Sequence, residues 1–176
     1  GVQTCALPIS AYNTTTTPTF TNTTVRLTNL ALLESAGWVN GQVAIVTPDG
    51  TELSAVSAQP ASSSGLPVGA EPVAGAIDYT VNNVAVGATI DVVVSLPPGS
   101  NPTTAYKKKG STTSSFASRV TTNGNKMTVR LTDGGAGDAD GTANGKIVDP
   151  IIPLYIPTNP PTATATSNIP TPQVRS

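Results

Sequence analysis

The chain has no histidine and only one cysteine, Cys5, among its 176 residues. Without histidine it lacks the commonest general base and the commonest ligand of transition metals. A single thiol allows neither an intrachain disulfide nor a cysteine-based zinc or iron–sulfur site. Histidine- and cysteine-dependent catalysis is thereby excluded. A thiol-poor, Thr-rich chain is typical of secreted or surface proteins of bacteria.

Charged and aromatic residues are also scarce, at 11% and 4% of the chain. The net charge is −1, and the one basic cluster is Lys107-Lys108-Lys109. We assign these lysines to solubility and to the protection of a sheet edge, so no nucleic acid partner is expected. No apolar run approaches the ~18 residues of a membrane helix, so this stretch of chain is not expected to span a membrane.

What the chain does contain is the alternation of apolar and polar residues that marks half-buried β-strands. It is clearest in three runs that begin at Ile77, Ile90 and Met127. Several short strands separated by Gly, Pro and Asn turns predict an all-β fold, an antiparallel two-layer β-sandwich of immunoglobulin-like or jelly-roll-like type. Nearer the N-terminus, Pro48-Asp49-Gly50 predicts a β-hairpin, and residues 30–34 are compatible with one helical turn.

Composition divides the chain into five segments. Residues 1–9, GVQTCALPI, resemble the translated read-through of a sequencing adapter attached to a gene fragment, and we exclude them from fold reasoning. Residues 10–24 are Thr-rich and predict a linker or a first strand. Residues 25–72 predict an N-terminal β region, and residues 73–150 the principal β domain. Residues 151–176 are rich in Pro and Thr and predict an extended, mobile tail.

A Gly-rich acidic loop, residues 133–149, follows the strand that begins at Met127. Its side-chain oxygen donors are Asp133, Asp138, Asp140, Asn144 and Asp149. From Asp138 to Asp149 the donors, with Thr142, have the spacing of a calcium loop, although the Gly comes early and no Glu ends the window. Two interpretations are open: these residues bind calcium, the one cofactor considered, or Asp and Asn form turns by capping their own backbone.

Four segments between residues 72 and 150 match the motifs of a known family. The longest, Leu131–Pro150, is similar nearly position for position to LTDGG-x-GD-x-DG-x-ANG-x-IVDP. Shorter matches lie at 75–81, 86–97 and 106–107, whereas Phe116 stands where the family usually has Trp. On these residues the segment resembles the choice-of-anchor U domain of bacterial surface proteins.

The resemblance implies a non-catalytic structural or display domain of an exported bacterial cell-surface protein, placed before a C-terminal anchor. We therefore expect an extracellular location and no enzymatic activity. Two alternatives remain. One is a calcium-assisted adhesin that binds a protein or glycan partner at the cell surface. The other is a subunit of an extracellular fibre that self-associates when residues 10–24 add a strand to a neighbouring sheet.

Overall fold

A computed structural model of the chain describes residues 28–110 and 112–158. Within these ranges the chain forms eleven β-strands and one short 3-10 turn, Ala117–Arg119. In chain order the strands are β1 (Leu30–Glu34), β2 (Gln42–Val46), β3 (Glu52–Gln59), β4 (Glu71–Pro72), β5 (Ala76–Asn82), β6 (Thr89–Ser95), β7 (Thr104–Lys109), β8 (Thr112–Ser115), β9 (Val120–Asn123), β10 (Lys126–Thr132) and β11 (Ile147–Tyr155).

The strands form two antiparallel sheets around a common core. The first sheet has the order β1-β2-β6-β10-β9, and the second has the order β3-β5-β11-β7-β8, with β4 pairing with the end of β11. Buried side chains from both sheets belong to one hydrophobic cluster. The prediction of an all-β sandwich is confirmed.

Strict alternation along the strands produces this core. In β10, Met127, Val129 and Leu131 are fully buried, while Lys126 and Arg130 on the opposite face are exposed. β5 and β6 follow the same rule. Burying an apolar side chain of this size contributes roughly 1.5–3 kcal/mol, so the three runs that predicted strands are also the ones that stabilise the sandwich.

The predicted β-hairpin around Pro48-Asp49-Gly50 is wrong, although the turn itself exists. The Thr51 amide donates a hydrogen bond to the Pro48 carbonyl across 3.2 Å. However, β2 pairs with β1 and β6 in the first sheet, whereas β3 pairs with β5 in the second. The residues between the two strands carry the chain across the ~10 Å that separates packed sheets. Residues 30–34 form strand β1 and no helical turn.

The segment boundaries also differ from those that composition predicts. Strands β1 to β3, from the predicted N-terminal region, pair within the same two sheets as the later strands. At the other end, β11 continues to Tyr155, and Ile151, Ile152 and Leu154 are buried. Pro150 and Pro153 are tolerated in this strand because each is paired on one side only, Pro150 with β5 and Pro153 with β7. Proline has no backbone N–H to donate to a second neighbour. The ladder to β7 begins only at Ile151, where the ladder to β5 ends.

The predictions for residues 1–9 and 10–24, and for the tail after residue 158, lie outside the described residues. Among the residues that the structure describes, no helix has the length and apolar character needed to cross a membrane.

Candidate functional site

The acidic loop connects β10 to β11, and glycine lets it fold tightly against the end of the sandwich. Gly134 has a φ of +70°, and a Cβ there would collide with the backbone of Ala143. A left-handed conformation is costly for residues with a side chain and nearly free for glycine. The loop therefore needs glycine at position 134 for two independent reasons, the dihedral angle and the space.

Asp133 organises the first part of the loop and is only 2% exposed. Its Oδ2 accepts hydrogen bonds from the amides of Gly87 and Gly145, both at 2.9 Å, and its Oδ1 accepts one from the amide of Asn144 at 3.3 Å. Burial by itself would raise the pKa of Asp133, but these amide donors outweigh it and the pKa is lowered. The carboxylate thus ties the loop to the connection that precedes β6.

Asp138 ties the middle of the loop to β11 in the same way. Its Oδ2 accepts a hydrogen bond from the Gly134 amide at 2.8 Å, and its Oδ1 accepts one from the Val148 amide at 3.0 Å. A longer bond of 3.4 Å comes from the Asp140 amide. Asp138 is buried, with 7% exposure. Its carboxylate accepts hydrogen bonds from backbone amides that would otherwise be unpaired.

Asp140 and Asn144 shape the outer turn of the loop. Asp140 Oδ1 accepts a hydrogen bond from the Thr142 amide at 2.9 Å, and the Asn144 side chain accepts one from the Lys146 amide at 3.0 Å. The Thr142 amide is the main cause of a lowered Asp140 pKa, with further help from Asn144 and Lys146. Both residues form the side-chain-to-backbone turns that Asp and Asn favour.

Asp149, the fifth predicted ligand, does not belong to the loop. It lies within β11, is fully buried, and contacts the side chains of Tyr79 and Lys107. Among residues 28–110 and 112–158 there is no group of three acidic side chains arranged to hold a metal ion. The geometry supports the turn interpretation of Asp133, Asp138, Asp140 and Asn144. It gives the calcium hypothesis no support.

The cluster around Asp149 is the functional feature that sequence reasoning missed. The prediction that Lys107 serves solubility is wrong, because Lys107 is only 8% exposed and its Nζ contacts Asp149 Oδ1. Its ammonium also lies 4.4 Å from the centre of the Phe116 ring. Burial lowers the pKa of Lys107 well below its usual value. Lys108 and Lys109 are exposed, as the solubility role requires. The prediction that the three lysines protect a sheet edge is wrong, because β7 lies between β11 and β8 in its sheet.

A signal for this cluster was present in the alternation of the strands. Asp149 falls in the same phase of β11 as Ile147 and Ile151, and Tyr79 falls in the same phase of β5 as Ile77. A charged residue on an inward-facing position needs a buried partner, because an unpaired buried charge is very costly. That rule predicts a cation near Asp149, although it does not say which one.

A second candidate site is a surface pocket of about 240 Å³ that contains two aromatic residues. Its walls are Trp38, Tyr155, Gly99, Ser100 and Asn101. Trp38 is 62% exposed, so much of its aromatic surface is accessible to a ligand. These two aromatic residues are far apart in the sequence, and the fold brings them to one place.

No family model, curated protein or solved structure matches this chain. The assignment of function therefore depends on the residues and geometry described above.

Proposed function

We propose that the chain is a non-catalytic structural or display domain of an exported bacterial cell-surface protein, placed before a C-terminal anchor. The single observation that carries this proposal is the use of the loop carboxylates. In Asp133 and Asp138 both carboxylate oxygens accept hydrogen bonds from backbone amides. Carboxylates engaged in this way stabilise a fold and are poorly placed to act as an acid, a base or a nucleophile.

Two further features support the proposal. The acidic loop is the part of the chain with the strongest resemblance to choice-of-anchor U domains, and the structure gives its Asp and Gly residues a definite architectural role. The sandwich also places β11, the last described strand, in the centre of its sheet. A central last strand would fix the domain firmly to whatever follows it in the chain.

The test is surface display of the complete gene product. The epitope is inserted at Ser63, in an exposed loop. This loop should tolerate the insertion because exposed loop tips rarely contribute to stability. We expect an antibody to bind intact cells when the protein carries its own leader and to bind only lysed cells when the leader is deleted. Detection restricted to lysed cells in both cases would contradict the proposal.

A second function, glycan or protein adhesion, is favoured by the pocket that contains Trp38 and Tyr155. Aromatic faces offer large, rigid contact area, and Asn101 and Ser100 add polar groups at the same place. A glycan array should then show binding that Trp38→Ala abolishes. The control Val68→Ala, at a 95% exposed position, should retain it. Equal binding by both variants, or by neither the wild type nor the control, would reject adhesion at this pocket.

A further inference from the structure

Three polar side chains from three neighbouring strands meet on the inner face of the second sheet. Asp149 on β11 lies directly opposite Tyr79 on β5. Lys107 on β7 pairs with Ile151, two residues along β11 from Asp149, so Lys107 and Asp149 are diagonal neighbours on the same face. The exposures of Tyr79, Asp149 and Lys107 are 1%, 0% and 8%.

The contacts within this cluster are direct. Lys107 Nζ touches Asp149 Oδ1, and the Tyr79 hydroxyl donates a hydrogen bond of 2.5 Å to Asp149 Oδ2. The other ion pairs among the described residues differ in kind: Arg130–Asp91 at 3.8 Å and Lys146–Asp140 at 3.6 Å are substantially exposed to solvent. Among the ion pairs of residues 28–110 and 112–158, only Lys107–Asp149 is buried. Keeping two separate charges away from water is costly.

We propose that Lys107 Nζ and Asp149 Cγ are joined by an intramolecular isopeptide bond, which the folded domain forms without any other reactant. The bond would link β7 covalently to β11, across 42 positions of the chain.

The reaction is a condensation whose atoms balance within the cluster. A proton moves from the Lys107 ammonium to Asp149 Oδ1, leaving a neutral amine beside a carboxylic acid. The amine attacks Cγ, while the Tyr79 hydroxyl stabilises the negative charge that develops on Oδ2. The Cγ–Oδ1 bond then breaks, and Oδ1 leaves as water with two of the hydrogens that began on Nζ. The third hydrogen remains on the amide nitrogen, and Oδ2 becomes the amide oxygen.

Three properties of the site favour this reaction. Reacting groups held in contact have effective concentrations of about 10⁵–10⁸ M. Such concentrations shift the equilibrium between the amide and the separate acid and amine towards the amide. Condensation also removes both buried charges. Burial lowers the pKa of Lys107, which favours the nucleophilic amine, and raises the pKa of Tyr79, which keeps its hydroxyl a donor.

A route for the released water also exists. A surface pocket of about 170 Å³ opens onto Lys107 and is lined in part by Phe116 and Ala139. It is large enough for several water molecules. Water formed at Asp149 therefore has a short path to solvent past the Lys107 side chain.

Intact mass under denaturing conditions tests the proposal. We expect the wild-type protein to weigh less than its sequence by one water molecule. Lys107→Arg should have the full sequence mass, whereas the matched control Lys108→Arg, at the exposed neighbour, should keep the deficit. Asp149→Asn would form the same amide by losing ammonia, so its deficit should change from the mass of water to that of ammonia.

The position of the bond is established by peptide mapping. Trypsin should fail to cleave after Lys107 and should release a branched peptide that contains both Lys107 and Asp149. Full sequence mass in the wild type would overturn the proposal. A water loss that maps to the Asp133-Gly134 or Asp140-Gly141 sequence would also overturn it, because such pairs can dehydrate to succinimides.

The role of Tyr79 has its own readout. In cell-free synthesis sampled at timed intervals, where every chain starts unlinked, we expect Tyr79→Phe to accumulate the linked species at least tenfold more slowly than the wild type, with the same final product. Equal rates would overturn the assignment of Tyr79 as the donor to Oδ2. Circular dichroism on the same samples separates a slow linking reaction from slow folding.

Discussion

Replacement of Asp138 by Ala separates the two interpretations of the acidic loop. Asp138 accepts two short bonds, 2.8 Å from Gly134 and 3.0 Å from Val148. Hydrogen bonds to charged groups contribute about 1.5–3 kcal/mol each. The freed amides are only partly buried and regain some water, so we expect Asp138→Ala to lower the free energy of unfolding by about 2–4 kcal/mol. In urea this is a midpoint lower by about 1–2 M.

Matched variants and calcium complete this experiment. Asp138→Asn keeps one acceptor oxygen and should lose about half as much stability, and Asp140→Ala, at the surface of the same loop, should lose less than either. Under the turn interpretation the wild-type midpoint is the same with calcium and with chelator. The reasoning is refuted if Asp138→Ala leaves the midpoint unchanged. It is also refuted if calcium raises the wild-type midpoint and Asp138→Ala abolishes that increase, since a ligand that binds the native state stabilises it.

Three further predictions concern the loop and the end of the last strand. Gly141→Ala, where a Cβ meets nothing, should cost about 1 kcal/mol for its positive φ, and Gly134→Ala should cost clearly more in the same urea titration; equal costs would contradict the packing argument. Because folding lowers the pKa of Asp133, its contribution to the free energy of unfolding is complete above pH ~4 and is lost as the pH falls further. The urea midpoint of Asp133→Asn should therefore decrease less steeply with falling pH than that of the wild type. Equal dependence of the two midpoints on pH would count against this. A chain that ends after Pro150 should not fold, because it lacks the buried end of β11, whereas a chain that ends after Thr158 should fold. Near-UV circular dichroism distinguishes the two outcomes. A folded short chain would refute the assignment of β11 to the core up to Tyr155.

The fold class followed from the sequence because alternation reports local burial. The apolar residues of the run from Met127 to Leu131 are those that the structure buries. Pairing did not follow, because the sequence around Pro48 specifies a turn and does not say whether the chain returns to the same sheet. Likewise, composition predicts that the structured domain ends at Pro150, before Pro153. Only the ladders on either side of β11 show that a proline is tolerated there.

Of the candidate sites, the sequence indicated the acidic loop but not the buried contact between Lys107 and Asp149. For Asp133 and Asp138 the sequence left calcium binding and turn formation open. The turn interpretation, which the geometry supports, was available because Asp beside Gly has a local mechanism, the capping of nearby amides. The partnership of Lys107 with Asp149 depends on the register of β7 against β11. A run of three lysines suggests a solvated surface. Only the sheet places its first member in the core and leaves the next two outside.

The isopeptide bond proposed between Lys107 and Asp149 has a mechanical consequence that is measurable on single molecules. Force applied at the C-terminal side enters through β11 and would peel it from β7, but the bond would stop this at Asp149. The 42 positions between the two residues would then carry no load, and at ~3.6 Å per residue they represent about 150 Å of chain. Pulling between the termini should therefore extend the unfolded wild-type protein about 150 Å less than Lys107→Arg. Equal extensions would show that no covalent bond joins Lys107 to Asp149 and that non-covalent contacts alone hold β7 against β11.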